Sequence, residues 1–136
     1  MEDGMAEIDH VHFLCADPEA SAEFFRQHFA AVEVARIRYP DWLIIRVQIG
    51  ATILALSPRR GAQVLADPAE GPRRGFYHVG VRVQGLDALV ERLRAASVPI
   101  LGEPRDIDGK VRVAYAGAPD GIELELLEPL PAPRPA

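Results

Sequence analysis

Two histidines and two glutamates are the residues of this 136-residue chain whose spacing could support chemistry. His10 and His78 each begin a His-Val pair inside a short β-favouring segment, and the two segments resemble each other. Glu123 and Glu125 lie in an alternating run near the end of the chain. Two imidazoles and one carboxylate, with other coordination positions open, form an arrangement that binds Fe(II) and related divalent ions. Spacing alone equally allows packed or solvated histidines and plain surface glutamates.

An internal repeat organises the positions of these residues, and a repeat of this kind fixes the architecture. Segments 8–15 and 76–83 match, and each precedes a helical pattern. In the first half, Asp17 is a suitable N-cap and Pro18 fits the first helical turn. In the second half, apolar residues recur at i, i+3, i+4 and i+7 from Leu86. Each half therefore begins with a strand that is followed by a helix.

Three strand-like segments follow each predicted helix. The segment 50–58 overlays 121–129 without a gap, because both begin with Gly and end with Pro, and this overlay makes Leu54 equivalent to Glu125. Each half thus has the predicted order β-α-β-β-β. The further strands are predicted at 32–37, 42–49 and 51–56 in the first half, and at 99–102, 110–116 and 122–127 in the second.

The predicted fold is α+β, with two βαβββ modules that form a cup-shaped, half-barrel mixed sheet with the helices outside. A chain of this length is expected to be a single domain covering residues 1–136. Within it, the first module covers about 6–58, a linker 59–75 and the second module about 76–129. Residues 130–136 form a Pro-rich tail.

Strand alternation selects the side chains that face the predicted cup. It places His10 and His12 on one strand, His78 on the equivalent strand, and Glu123 with Glu125 on the last strand, all facing the cup. His12 lies two residues beyond His10, at a distance that suits a substrate. It is either a general acid or base, since an unperturbed imidazole titrates near neutral pH, or a buried hydrogen-bonded histidine.

Two other residues could contact a substrate. Tyr115 is a candidate proton donor and is preferred to Arg112, which lies on the opposite face of the same predicted strand. Arg46 could pair with a substrate carboxylate from the cup wall, or it could occupy a solvated edge position. A further group of arginines either attracts anionic substrates or keeps the linker soluble, namely Arg59, Arg60, Arg73 and Arg74.

Composition excludes several classes of function. The formal charge is -5 and no basic cluster is present, so nucleic acid is not an expected partner. The single cysteine, Cys15, excludes an internal disulfide framework and a multi-cysteine zinc site. No apolar run approaches about 18 residues, so no membrane span is expected. The first residues lack the features of a secretory signal, and the expected location is the cytoplasm.

The chain resembles the vicinal oxygen chelate superfamily, which includes glyoxalase I, methylmalonyl-CoA epimerase, bleomycin-resistance proteins, extradiol dioxygenases and fosfomycin-resistance enzymes. The likeness covers residues 8–129 and is carried by the segments 8–11, 77–81 and 118–125. It implies that three residues bind a divalent metal ion: His10, His78 and Glu125. Fe(II) or Mn(II) is favoured, with Zn, Ni and Co as other candidates.

The resemblance also bears on the reaction. Glyoxalase-like and epimerase-like members usually add a fourth ligand on the last strand of the first module, where the overlay puts Leu54. A three-ligand site is more like the extradiol dioxygenases or the fosfomycin-resistance enzymes, with Leu54 beside the substrate. We therefore expect a metal-dependent dioxygenase that acts on a small oxygen-rich molecule. The alternatives are a glyoxalase-type or epimerase-type lyase or isomerase, and a non-catalytic small-molecule-binding module.

The resemblance further implies a homodimer. Sequence leaves open whether His10 meets His78 within one chain or across a dimer interface. It also leaves the identity of the substrate open, because loops around the site determine it and the fold does not.

Overall fold

The structure is a computed structural model that describes residues 6–59, 64–69, 71 and 74–132. The chain divides into two compact units, Met1–Asp67 (unit one) and Pro68–Ala136 (unit two), and this boundary falls inside the predicted linker. The prediction that the units form a single domain stays a prediction. Parts of the predicted linker and tail lie outside the described residues, namely 60–63 with Arg60, 70, 72–73 with Arg73, and 133–136.

Unit one has the predicted order of one strand, one helix and three strands. Strand β1 is parallel to β4, whereas β3 is antiparallel to both β4 and β2, so that the strand order in the sheet is β1-β4-β3-β2. The elements are β1 (Val11–Leu14), α1 (Pro18–Phe29), β2 (Val32–Arg38), β3 (Leu43–Ile49) and β4 (Thr52–Ser57).

Unit two repeats this topology, with the strand order β5-β8-β7-β6 and the parallel pair at β5 and β8. The α+β class with two βαβββ modules is therefore confirmed. The elements are β5 (Val79–Arg82), α2 (Leu86–Ala95), β6 (Ile100–Ile107), β7 (Val111–Gly117), a one-turn 3-10 helix (Pro119–Gly121) and β8 (Glu123–Pro129).

Strand β6 is longer than the predicted segment 99–102. Its pairing with β7 shifts register on both sides of Gly102, and Pro104 follows within the strand. A proline is tolerated in a strand at the edge of a sheet, and β6 is one of the two edge strands of its sheet. The strand therefore continues through Pro104 to Ile107, beyond the end of the predicted segment.

Each helix packs on its sheet through one apolar face. Helix α1 contacts β3 and β4 and buries Phe25 completely. The sheet residues of this core come from alternating positions of the two central strands. In unit one they are Ile45, Val47, Leu54 and Leu56, each at most 2% exposed, and in unit two Ala114, Ala116, Leu124 and Leu126. Burial of these apolar side chains is the main stabilising contribution to each unit.

Strand register corrects one prediction from the repeat. Val11 pairs with Leu54 in unit one, and Val79 pairs with Leu124 in unit two. Because Val11 and Val79 are equivalent, Leu54 corresponds to Leu124, and the residue that corresponds to Glu125 is Ala55. The ungapped overlay was therefore wrong by one residue.

Unequal loops explain the error. A two-residue turn, Gly50 and Ala51, joins β3 to β4, whereas five residues including the 3-10 helix separate β7 from β8. The matching glycines therefore do not occupy matching places. A shift of one residue moves every side chain to the other face of a strand. Leu54 consequently lies in the apolar core, and Ala55 occupies the position on the opposite face that the prediction had given to Leu54.

Candidate metal and substrate site

Three predicted residues come together in unit two. Gly80 is the β5 neighbour of Glu125, and Tyr115 lies directly opposite Glu125 on β7. The Tyr115 hydroxyl donates a hydrogen bond of 2.7 Å to Oε2 of Glu125, and Nε2 of His78 lies 3.9 Å from the same oxygen. The rings of His78 and Tyr115 are 5.7 Å apart. Alternation along three neighbouring strands thus gathers an imidazole, a carboxylate and a phenol on one face.

The pair formed by His78 and Glu125 suits a divalent metal ion. Two atoms bound to one ion at about 2.1 Å can lie up to about 4.2 Å apart, so their 3.9 Å separation is compatible with a shared ion. Nδ1 of His78 is buried and has no hydrogen-bond partner among the described residues. Imidazole nitrogen and carboxylate oxygen are suitable donors for Fe(II), Mn(II) and Zn(II). The residues present therefore fit the ion that the sequence predicts.

Neither unit supplies a complete ligand set alone. Within the described parts of the chain, no group of three or more His, Cys, Asp or Glu side chains could hold a metal ion. The third predicted ligand, His10, belongs to unit one, whereas His78 and Glu125 belong to unit two. The three-ligand site stays a prediction.

The Glu125 carboxylate raises the pKa of the neighbouring Tyr115 hydroxyl. The hydrogen bond to Glu125, with burial and the negative charge of Glu125 as smaller causes, raises the pKa of Tyr115 to about 12. The phenol therefore stays protonated at neutral pH. Tyr115 can donate a hydrogen bond or a proton at this site, but it is a poor general base.

Arg112 is absent from this face, as the sequence predicted. Its guanidinium forms ion pairs with Asp87, at the start of α2, and with Asp106 on β6. The partner of Arg112 across β7 and β8 is Glu128, which contacts the backbone at the start of the same helix. Arg112 thus lies on the helix side of the sheet, and Tyr115 lies on the other side.

The equivalent face of unit one carries His12 and Arg46 on either side of Ala55. His12 neighbours Ala55 on β1, and Arg46 lies opposite Ala55 on β3. Nε2 of His12 is hydrogen-bonded to the Ser57 hydroxyl at 2.7 Å. Burial, and to a smaller extent the charges of His10 and Arg46, lower the pKa of His12. The neutral imidazole is therefore favoured at this position.

Asp9 is a residue of this face that sequence reasoning did not single out. Its Oδ2 accepts a hydrogen bond of 2.8 Å from Nδ1 of His10, and Nη2 of Arg46 lies 3.6 Å from the same oxygen. The hydrogen bond from His10 lowers the pKa of Asp9, and the charges of His10 and Arg46 add to this effect. A carboxylate on Nδ1 selects the tautomer whose Nε2 is free to bind a metal. The signal was the direct adjacency of Asp9 to His10.

The sequence comparisons agree with this architecture. A family model described as "Glyoxalase/Bleomycin resistance protein/Dioxygenase superfamily" matches residues 7–126. A protein named "Probable lactoylglutathione lyase, chloroplastic" from Arabidopsis thaliana is 37% identical over 62 residues, which are 45% of this chain and 18% of that protein. The chain therefore spans less than a fifth of that relative's length.

Solved structures share the fold over nearly the whole chain. A glyoxalase family protein from Bacillus cereus matches with a TM-score of 0.82 and 19% identity, covering 96% of this chain and 98% of that one. A mutant of the fosfomycin resistance protein FosX from Listeria monocytogenes, complexed with Mn(II) and 1S,2S-dihydroxypropylphosphonic acid, matches with a TM-score of 0.68 and 19% identity, covering 93% and 92%. At these identities the likeness concerns the fold alone.

The helices α1 and α2 are short. Among the described residues, none is both long enough and apolar enough to cross a membrane.

Proposed function

Because the chain belongs to the Glyoxalase/Bleomycin resistance protein/Dioxygenase superfamily, we propose that it is a metal-dependent enzyme that acts on a small, oxygen-rich substrate. The proposed ligands are His10, His78 and Glu125. The observation that carries the proposal is the approach of Nε2 of the His78 imidazole to within 3.9 Å of the Glu125 carboxylate. The proposal requires that His10 lies beside this pair. His10 would come either from the same chain or from the partner chain of the expected homodimer.

The chain's own residues divide the remaining tasks. His10, His78 and Glu125 would hold an Fe(II) or Mn(II) ion, which would supply Lewis acidity and redox chemistry with O2. Tyr115 holds a proton at its hydroxyl and orients Glu125 through their hydrogen bond. Asp9 holds His10 in the tautomer that leaves Nε2 free. Arg46 is suited to an anionic substrate group, and His12 to proton transfer.

The lack of a fourth donor favours an oxygen-dependent reaction of the extradiol dioxygenase type. Ala55 has the place that corresponds to Glu125, and a methyl group cannot coordinate a metal. Ala55, like Leu54, supplies no metal ligand, so the proposed site still has three protein ligands. Three protein ligands leave positions for two substrate oxygens and for O2.

A lyase or isomerase of glyoxalase or epimerase type is the second candidate. The observation in its favour is the similarity of 62 residues to a probable lactoylglutathione lyase. Such a reaction needs a metal ion and a proton donor or acceptor but no O2, so that oxygen dependence separates the two candidates. A cytoplasmic location is part of both proposals.

Metal analysis tests the shared core of these proposals. Protein purified without chelator should contain close to one divalent ion per proposed site, and His10→Ala, His78→Ala and Glu125→Ala should each lose it. His28→Ala is the matched control, because His28 lies on α1 against Phe24. Variants at the three proposed ligands that retain as much metal as the His28 variant would show that the site is misassigned.

Oxygen uptake then separates the reactions. Catechol-type diols and 2-oxoaldehyde thiol adducts are supplied in air and under anaerobic conditions. Turnover that stops without O2 supports the dioxygenase proposal, whereas turnover that continues unchanged excludes it and supports the lyase. A protein that binds the compounds without metal and without turnover would contradict both and indicate a binding module.

A further inference from the structure

Tyr39, Trp42 and Arg59 form a cluster at one end of the unit-one sheet, which we call the Arg59 cluster. The rings of Tyr39 and Trp42 are stacked, with centroids 4.3 Å apart and planes 10° from parallel. The Arg59 guanidinium carbon lies 5.5 Å from the Trp42 ring centroid, within the range of a cation–π contact. The backbone N–H of Tyr39 donates to the carbonyl of Trp42 at 2.8 Å, which closes the turn between β2 and β3.

One donor of the Arg59 guanidinium lacks an acceptor among the described residues. Nε of Arg59 is buried and has no hydrogen-bond partner among the described residues. Arg26 and Arg36 of the same unit, in contrast, are paired with glutamates. Asp41, in the turn beside Trp42, forms no ion pair within the described residues. A buried charged donor without an acceptor is unfavourable, and an anionic ligand would satisfy it.

The Arg59 cluster lies on the sheet face that carries Arg46 and His12. Arg46 pairs with Ala55 across β3 and β4, and the same register continued beyond the strand ends places Trp42 opposite Arg59. Side chains two residues apart share a face, so Trp42 lies on the face of Arg46, and Arg59 on the face of Ala55. Trp42 lies four residues before Arg46, and Arg59 lies four residues after Ala55, which corresponds to about 13 Å along each strand.

We propose that the Arg59 cluster is a subsite for the anionic end, a carboxylate or a phosphate, of an elongated substrate. The guanidinium supplies a planar fork of donors for an oxyanion, and the Trp42 ring supports its position. The backbone of Arg46 lies about 13 Å away along the strand. A substrate whose reacting end lies beside this backbone and whose anionic end reaches Arg59 therefore has an extended middle section along Ile44 and Ser57. The inference relies on the proposed function only for the reacting end of this substrate.

Trp42 makes the subsite directly observable, because it is the only tryptophan of the chain. Its fluorescence is followed while metal-free full-length protein is titrated with hexanoate or hexyl phosphate, and separately with hexanamide as an uncharged compound of equal chain length. We expect a saturable change with both anions and about tenfold weaker binding of hexanamide, since a charge-assisted hydrogen bond supports a factor of this size. Equal binding of hexanamide would contradict an anion subsite, as would the absence of a saturable response to both anions.

Two variants with the same change of charge sharpen the test. Arg59→Gln should weaken hexanoate binding about tenfold, whereas Arg38→Gln should leave it unchanged. Arg38 is a suitable control because it pairs with Leu43 and so lies on the opposite face of the same hairpin. Parental affinity in Arg59→Gln, or an equal loss in Arg38→Gln, would overturn the proposal. Thermal melts verify that both variants are folded.

The metal content of the same variants keeps the two proposals apart. Arg59→Gln should retain parental metal content, and His10→Ala should retain parental hexanoate binding in the metal-free protein. Loss of hexanoate binding in Arg59→Gln alone supports the subsite even if the three predicted ligands bind no metal. A loss of hexanoate binding in His10→Ala as large as that in Arg59→Gln would contradict a separate subsite.

Discussion

The two units have the same topology but carry different chemistry at equivalent positions. In unit two, Glu125 lies between Gly80 and Tyr115. In unit one, the equivalent positions hold Ala55, His12 and Arg46. Unit two thus presents a carboxylate and a phenol, whereas unit one presents an imidazole and a guanidinium. The difference shows that the duplicated backbone supplies equivalent positions, whereas the side chains at these positions differ in chemistry between the units.

The units also differ in how their helices begin. In unit one, Asp17 caps α1 locally by accepting a hydrogen bond of 3.2 Å from the Ala20 N–H. In unit two, α2 begins after Gly85, which has no side chain, and Glu128 of β8 accepts hydrogen bonds from the N–H groups of Gly85 and Leu86 at 2.6 and 3.2 Å. Helix α2 is therefore tied to the strand that also carries Glu125, whereas α1 is capped from its own segment.

The largest predicted effect distinguishes Glu125 from Glu123, which lies on the same strand, β8. Glu125→Ala should abolish metal binding and reduce turnover by more than about 100-fold, since loss of a group that merely orients a ligand already costs 10- to 100-fold. Glu123→Ala is the control, because Glu123 pairs with Gly117 and has no tyrosine opposite it. Metal analysis and turnover are measured for both variants. Normal metal content in Glu125→Ala, with loss in Glu123→Ala, would reverse the assignment.

The second prediction concerns Tyr115, whose equivalent position in unit one is occupied by Arg46. Tyr115→Phe removes only the hydroxyl that donates to Glu125. If Tyr115 supplies a proton during the reaction, kcat should fall about 100-fold or more while the metal content is retained. In the metal-free protein the pKa of Tyr115 is about 12, so its phenol should show no ultraviolet signal of deprotonation below about pH 10. Unchanged kcat in Tyr115→Phe would remove Tyr115 from the catalytic residues.

Sequence predicted the features that depend on local periodicity and repetition. These include both βαβββ modules, the Asp17 cap and the common face of Tyr115 and Glu125. The first prediction that failed was the equivalence of Leu54 with Glu125, because the extra residues in the loop before β8 make Ala55 the equivalent residue. Contacts between distant residues could not be predicted either. The Glu128 cap spans more than 40 residues, and the Arg59 cluster joins the two ends of a hairpin, so no local pattern predicts either contact.

A third prediction compares the two helix caps. Asp17→Ala should lower the free energy of unfolding by about 1 kcal/mol, the usual cost of losing an N-cap side chain. Glu128→Ala should cost more, about 2 kcal/mol, because two hydrogen bonds to a carboxylate are lost at the start of α2. Urea unfolding followed by circular dichroism measures both. An equal or smaller loss in Glu128→Ala would show that the long-range cap contributes no more than the local one.

The smallest predicted effect concerns acid stability, and it belongs to unit one. Arg36 contacts both Glu19 and Glu33, and its hydrogen bonds lower the pKa of each carboxyl group. A carboxyl group with a lowered pKa in the folded state stabilises the fold above its ordinary pKa, and this contribution disappears as the pH falls through the lowered value. Arg36→Gln should therefore reduce stability slightly at pH 7, since the pairs are partly exposed, and hardly at all once the pH is below the lowered pKa values of Glu19 and Glu33. Urea titrations at pH 7 and at a series of falling pH values measure the difference. A loss of stability that is equal at all of these pH values would show that Arg36 acts by packing against the sheet and that its charge contributes nothing.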